Sequence, residues 1–106
     1  MSDVSIGKTV DYQTLETALV KAAEEMGWKA RIKDEFRKRY RLGSVQEVQD
    51  YAGTQVFLKG ILFPTMRVDV DNKGPTDSFY VSTGYPYGFA SERRIKKYLS
   101  AVSKNL

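Results

Sequence analysis

Two amphipathic helical stripes, one near each end of the chain, bracket a stretch in which apolar and polar residues alternate one by one, and few folds accommodate that arrangement. From Tyr12 to Met26 the residues Leu15, Ala18, Leu19, Ala22 and Met26 recur at the spacing of one helix face, with Asp11 placed to cap the start and Gly27 to end it. Ile95, Tyr98, Leu99, Val102 and Leu106 repeat the pattern after Ser91, a residue suited to capping. Val4, Ile6 and Lys8 suggest a short strand ahead of the first helix. Trp28, Ala30 and Ile32 alternate with Lys29, Arg31 and Lys33, and beyond Asp34-Glu35-Phe36 the residues Arg37, Arg39 and Arg41 alternate with Lys38, Tyr40 and Leu42, which predicts a hairpin turning at 34–36. Gly43-Ser44 breaks the chain, and residues 54–62 read as a further strand. Met66, Val68 and Val70 alternate with Arg67, Asp69 and Asp71, the segment Asp71-Asn72-Lys73-Gly74-Pro75 turns, and residues 79–83 return as a second hairpin.

The predicted order is β-α-β-β-β-β-α. Two helices separated by antiparallel hairpins fit most simply on one face of a single sheet, so the expected fold is an α+β two-layer sandwich with an antiparallel sheet of about five strands. At 106 residues the chain is expected to form one domain over its whole length. Its core is expected to gather Leu15, Leu19, Trp28, Ile32, Val68, Val70, Ile95 and Leu99.

Function is bounded first by what is missing. The chain has no Cys and no His, which excludes disulfide frameworks, thiol nucleophiles, histidine triads and imidazole metal sites. Its longest apolar runs are a few residues, as at 61–63, too short to span a bilayer, so it is expected to be cytosolic with no membrane partner. Neither a cofactor nor a metal is expected. Asp69 and Asp71 share one strand face at i,i+2 spacing, but neighbouring basic residues compete for carboxylates that a cation would need, and ion pairing is the better reading. The Tyr85-Pro86-Tyr87-Gly88-Phe89 segment would either close one end of the core or line a small-molecule cleft.

The net charge of +4 is unevenly laid out. Residues 28–41 hold seven basic and two acidic groups, and residues 92–106 hold five and one. In the predicted first hairpin Lys33 would face Arg37, Arg31 would face Arg39 and Lys29 would face Arg41, three like-charged pairs that destabilise a sheet by up to about 1 kcal/mol each unless compensated. Compensation would come from within, through Asp69 and Asp71 with Glu47 or Asp50, or from an anionic partner. Tyr80 and Phe57 are the aromatic residues whose position on that face would allow base stacking. At the last helix, Ser91 with Arg93 and Arg94 forms a second candidate anion site, the alternative being that both arginines are simply solvated.

The helix ending before Gly27-Trp28, the Val48-x-x-Tyr51-x-Gly53 spacing and the order of elements carry a resemblance. The chain resembles a group of small uncharacterised proteins with the topology of half a TATA-binding protein, and is similar to a plastid and cyanobacterial family of unknown function. The resemblance implies the two-layer topology; it transfers no functional residue, because neither group has an established activity and a shared topology does not imply DNA binding. The expected function is therefore that of a non-catalytic module engaging RNA or DNA through Lys29, Arg31, Lys33, Arg37, Arg39, Arg41, Ser91, Arg93 and Arg94. The alternatives are a protein-interaction subunit with no nucleic-acid role and a small-ligand-binding protein.

Overall fold

The computed structural model describes residues 2–40, 47–60, 64–83 and 90–106, with backbone alone at 2, 37–40 and 47–50. Strand β1 (Ser2–Val10), helix α1 (Tyr12–Glu25), strands β2 (Lys29–Tyr40), β3 (Glu47–Lys59), β4 (Pro64–Val70) and β5 (Thr76–Ser82), and helix α2 (Glu92–Asn105) follow in that order. The strands form one antiparallel sheet, β1-β5-β4-β3-β2. Both helices pack against one face of it, giving the expected two-layer α+β architecture.

Local chemistry sets the limits of α1. The Asp11 carboxylate accepts from the Thr14 amide at 2.7 Å, satisfying a donor the first turn would leave open. At the other end Gly27 takes a φ of 74°, and the amides of Gly27 and Trp28 donate back to the carbonyls of Glu24 and Ala23. That closure needs a left-handed residue, which Gly supplies without a Cβ clash. Alternation then sorts the strands: Val56 and Leu58 of β3, Met66, Val68 and Val70 of β4, and Phe79 and Val81 of β5 are buried beneath Leu15, Leu19 and Ala22 of α1 and Tyr98 and Val102 of α2. Tyr98 joins the two helices. Its ring centroid lies 5.4 Å from that of Trp28, and its hydroxyl donates to the Leu19 carbonyl at 2.9 Å. Burial pushes this phenol well above its ordinary range, so it remains a donor.

The hairpin expected over residues 28–42 does not form. Asp34, Glu35 and Phe36 lie inside β2, which runs unbroken and pairs with β3, not with itself. These residues resemble a turn in composition but lack the glycine or asparagine that a tight reversal favours, and each has a partner in the extended form. Asp34 accepts from Thr54 at 2.7 Å and pairs with Lys73 at 2.7 Å, Glu35 pairs with Lys33 at 3.7 Å, and Phe36 meets Tyr51 edge-on at 6.0 Å. The Gly43-Ser44 break lies outside the described residues. The second hairpin forms as expected, with the Asn72 side chain accepting from the Gly74 amide at 2.9 Å in its turn.

Pairing lengths also shape the molecule. β4 accompanies β3 only between Thr54 and Lys59, whereas β2 and β3 remain paired from Phe36 opposite Tyr51 out to Tyr40 opposite Glu47. A two-stranded ribbon therefore projects from the sheet, and the radius of gyration of 15.4 Å exceeds the roughly 13 Å of a compact chain near this length. Ile32, expected in the core, is 39% exposed because β2 is the sheet margin and the helix layer leaves it uncovered. Leu15, Leu19, Trp28, Val68 and Val70 are buried together, while Ile95 and Leu99 are partly buried against them.

Candidate functional site

On the face away from the helices, register places residues of several strands side by side. Lys29 stands opposite Lys59; Arg31 opposite Phe57, which is opposite Arg67; Lys33 opposite Gln55, which is opposite Asp69, itself opposite Tyr80. Lys29, Arg31, Lys33 and Lys59 are exposed, and Phe57 and Tyr80 are partly so. A cavity of about 470 Å³ is lined by Lys29, Arg31, Phe57, Lys59, Pro64 and Met66, with Ala30 and Leu58. Lys33 has Glu35 as an ion-pair partner. Lys29, Arg31 and Lys59 have none among the described residues.

The three like-charged pairs expected within 28–42 are absent, since all those residues lie along one strand or, for Arg41, outside the described residues. Lys29 opposite Lys59 is instead a directly opposed cationic pair. Arg37 stands opposite Asp50 and Arg39 opposite Val48, both out on the ribbon. Internal compensation by Asp69 takes a different partner: its carboxylate pairs with Arg67 on the same strand at 3.0 Å, not with Arg31. Burial pushes the Asp69 carboxyl up from its ordinary range against the pull of Arg67. No group of three or more acidic ligands gathers for a cation among the described residues.

At α2, Ser91 caps as expected, accepting from the Arg94 amide at 3.3 Å. Arg93 and Arg94 are exposed, and Glu92 pairs with Lys96 at 3.4 Å. The Ala90 amide donates to the Thr65 carbonyl at 3.2 Å, which sets the approach to α2 beside the start of β4, next to Pro64 and Met66 of the cavity. Arg93 and Arg94 do not line it. The Tyr85 to Phe89 segment, expected either to close one end of the core or to line a cleft, lies outside the described residues.

One cluster escaped sequence reasoning. Lys73, in the turn between β4 and β5, pairs with Asp34 and sits 5.7 Å from the ring centroid of Tyr12 and 5.5 Å from that of Tyr51; Thr54 links Asp34 to the Tyr51 hydroxyl. Nothing in linear spacing announces a contact across 39 positions. The hydrogen bonds that Lys73 and Thr54 donate hold the Asp34 carboxyl below its ordinary range, the bond donated to Asp34 raises the Lys73 ammonium, and burial raises the Tyr12 phenol. These directions favour an ionised Asp34, a charged Lys73 and a neutral Tyr12 at neutrality, the states in which Lys73 clamps Asp34 of β2 to the turn between β4 and β5. Because the folded pKa of Asp34 is depressed, its contribution is present above the unfolded value of about 3.9 and is lost as pH falls through the folded value. Asp34→Asn is accordingly expected to lower thermal stability near neutrality and to flatten its decline in acid; equal acid sensitivity of the two proteins in pH-dependent melts would contradict this.

Among the described residues no helix is long and apolar enough to cross a membrane. No known family, curated protein or solved structure matches the chain.

Proposed function

We propose that this chain is a non-catalytic binding module whose open sheet face takes an anionic partner, a strand of RNA or DNA. The observation that carries the reading is the cavity in which Lys29, Arg31 and Lys59, cations without an acidic partner among the described residues, surround Phe57. Single-stranded nucleic acids are held by this combination: a base stacks on an aromatic ring while phosphates follow the cations. Opposed cations such as Lys29 and Lys59 repel one another in the free protein, so an anion between them relieves a cost already present. Tyr80 adds a second aromatic ring farther across the sheet, on β5 beyond the central strand.

Titrating mixed-sequence RNA and DNA oligomers at two salt concentrations tests the proposal. Affinity is expected to fall with salt, with a slope of about −0.7 per neutralised phosphate on a single strand or about −0.9 on duplex DNA, and with little sequence preference. Phe57→Ala is expected to weaken single-strand binding by about 1–3 kcal/mol, the usual worth of one stacked base. Absence of binding at low ionic strength, or indifference to Phe57→Ala, would remove this reading.

A further inference from the structure

We infer that the outer edge of β2 is a docking site for an extended strand of another protein, one in which acidic and apolar residues alternate. β2 lies at the margin of the sheet, and among the described residues nothing pairs with its outer edge. Such an edge presents a row of backbone donors and acceptors, the template that strand addition uses. The opposite margin, β1, is interrupted by a register shift between Ser5 and Val10, with Gly7 at a φ of 84°. β2 pairs residue by residue along its twelve positions, because the irregularity in that pair falls on β3.

The two sides of β2 specify the occupant. Ile32 and Phe36 are the exposed large hydrophobics among the described residues, at 39% and 53%, and both sit at even positions, on the helix side. The odd positions Lys29, Arg31 and Lys33 are exposed cations on the open side. A strand laid along this edge would set its own alternate residues beside each of these rows. Apolar residues would then cover Ile32 and Phe36, while acidic residues would meet the cations. A second copy of this chain fits poorly, since β2 carries six basic and two acidic residues and would be set against itself. Its two acidic residues are already committed, Asp34 to Thr54 and Lys73 and Glu35 to Lys33. Lysine alone on an edge strand would read as a guard against aggregation; two large uncovered apolar side chains on the same strand work against that purpose.

The test uses a synthetic peptide of the length of β2 that alternates Val and Glu, and a charge-reversed peptide that alternates Val and Lys, with binding followed by fluorescence anisotropy and located by hydrogen exchange. The Val-Glu peptide is expected to bind and to slow exchange along β2 but not β1, and the Val-Lys peptide is expected to bind at least about tenfold more weakly. Ile32→Gln, a charge-neutral change at an exposed position that leaves the Phe57 cavity untouched, is expected to weaken the peptide about tenfold or more. Absence of peptide binding overturns the inference. Peptide binding that is indifferent to Ile32→Gln also overturns it, because the peptide then acts as a polyanion on the open face. Self-association of the protein that Ile32→Gln abolishes assigns the edge to a second copy and overturns it as well. Each of these results is read without oligonucleotide, so none depends on whether oligonucleotides bind.

Discussion

Replacing Leu19 with Ala is expected to cost about 2–5 kcal/mol of stability, the range for a buried leucine truncated in a well-packed core. Leu19 is 1% exposed and belongs to the cluster shared by both helices and three central strands. Its carbonyl also receives the Tyr98 hydroxyl, so the helices are pinned where the cavity would open and the surroundings have little freedom to collapse into it. Leu99→Ala, on the same apolar stripe that defines α2 in the sequence, is expected to cost less, because Leu99 is only partly buried against the cluster. A denaturant titration reads both changes as shifts in midpoint at unchanged slope. Near-neutral behaviour at Leu19 would mean that α1 presents a different face to the sheet.

The helices were legible because the information that specifies them is local. Asp11 and Ser91 cap them, Gly27 ends the first, and the stripes through Leu15 and Leu19 and through Tyr98 and Val102 point to the buried side. The turn at Asn72 was legible for the same reason. β2 was not, because what keeps Asp34, Glu35 and Phe36 extended lies far away in sequence: Lys73 and Thr54 hold Asp34, and Tyr51 meets Phe36. A short polar cluster looks like a turn until its distant partners are known.

The candidate site divides along the same line. That Lys29, Arg31 and Lys33 lie opposite to Ala30 in facing follows from strand alternation alone. That Lys59 joins them does not, since it sits alone in the sequence and reaches Lys29 only through the register of β2 with β3. The same register carries Arg37 and Arg39 away from the cavity and onto the ribbon. Which cations stand side by side is thus set by strand register and not by the basic block counted along the chain, and the proposed interface rests on that register, with Phe57 beside Arg31.

Gly53→Ala is expected to cost about 1–3 kcal/mol, the usual penalty for forcing a side chain into a backbone region that favours glycine. Gly53 has a φ of 130° and is buried, and an added Cβ would lie 3.2 Å from the backbone carbonyl oxygen of Val70. Unlike a flexible side-chain tip, that carbonyl belongs to the neighbouring strand, so β3 and β4 would have to part slightly. The position matters beyond its own strain because Glu35 stands opposite Gly53 while Phe36 stands opposite Tyr51, leaving one extra residue in β3. That bulge reverses the facing of β3 as it leaves the sheet, which is how Thr54 and Tyr51 reach the same side and close on Asp34 and Lys73. Gly53→Ala should therefore loosen the clamp as well as lower the midpoint, and hydrogen exchange should quicken along the ribbon more than in the strands beneath α1. The contrast with Gly27→Ala makes the test specific: Gly27 also has a positive φ, but an added Cβ there meets nothing within 4 Å, so its replacement should strain one helix end without touching the ribbon. Equal losses from the two replacements, with no local change in exchange at the ribbon, would show that the bulge does not organise this end of the molecule.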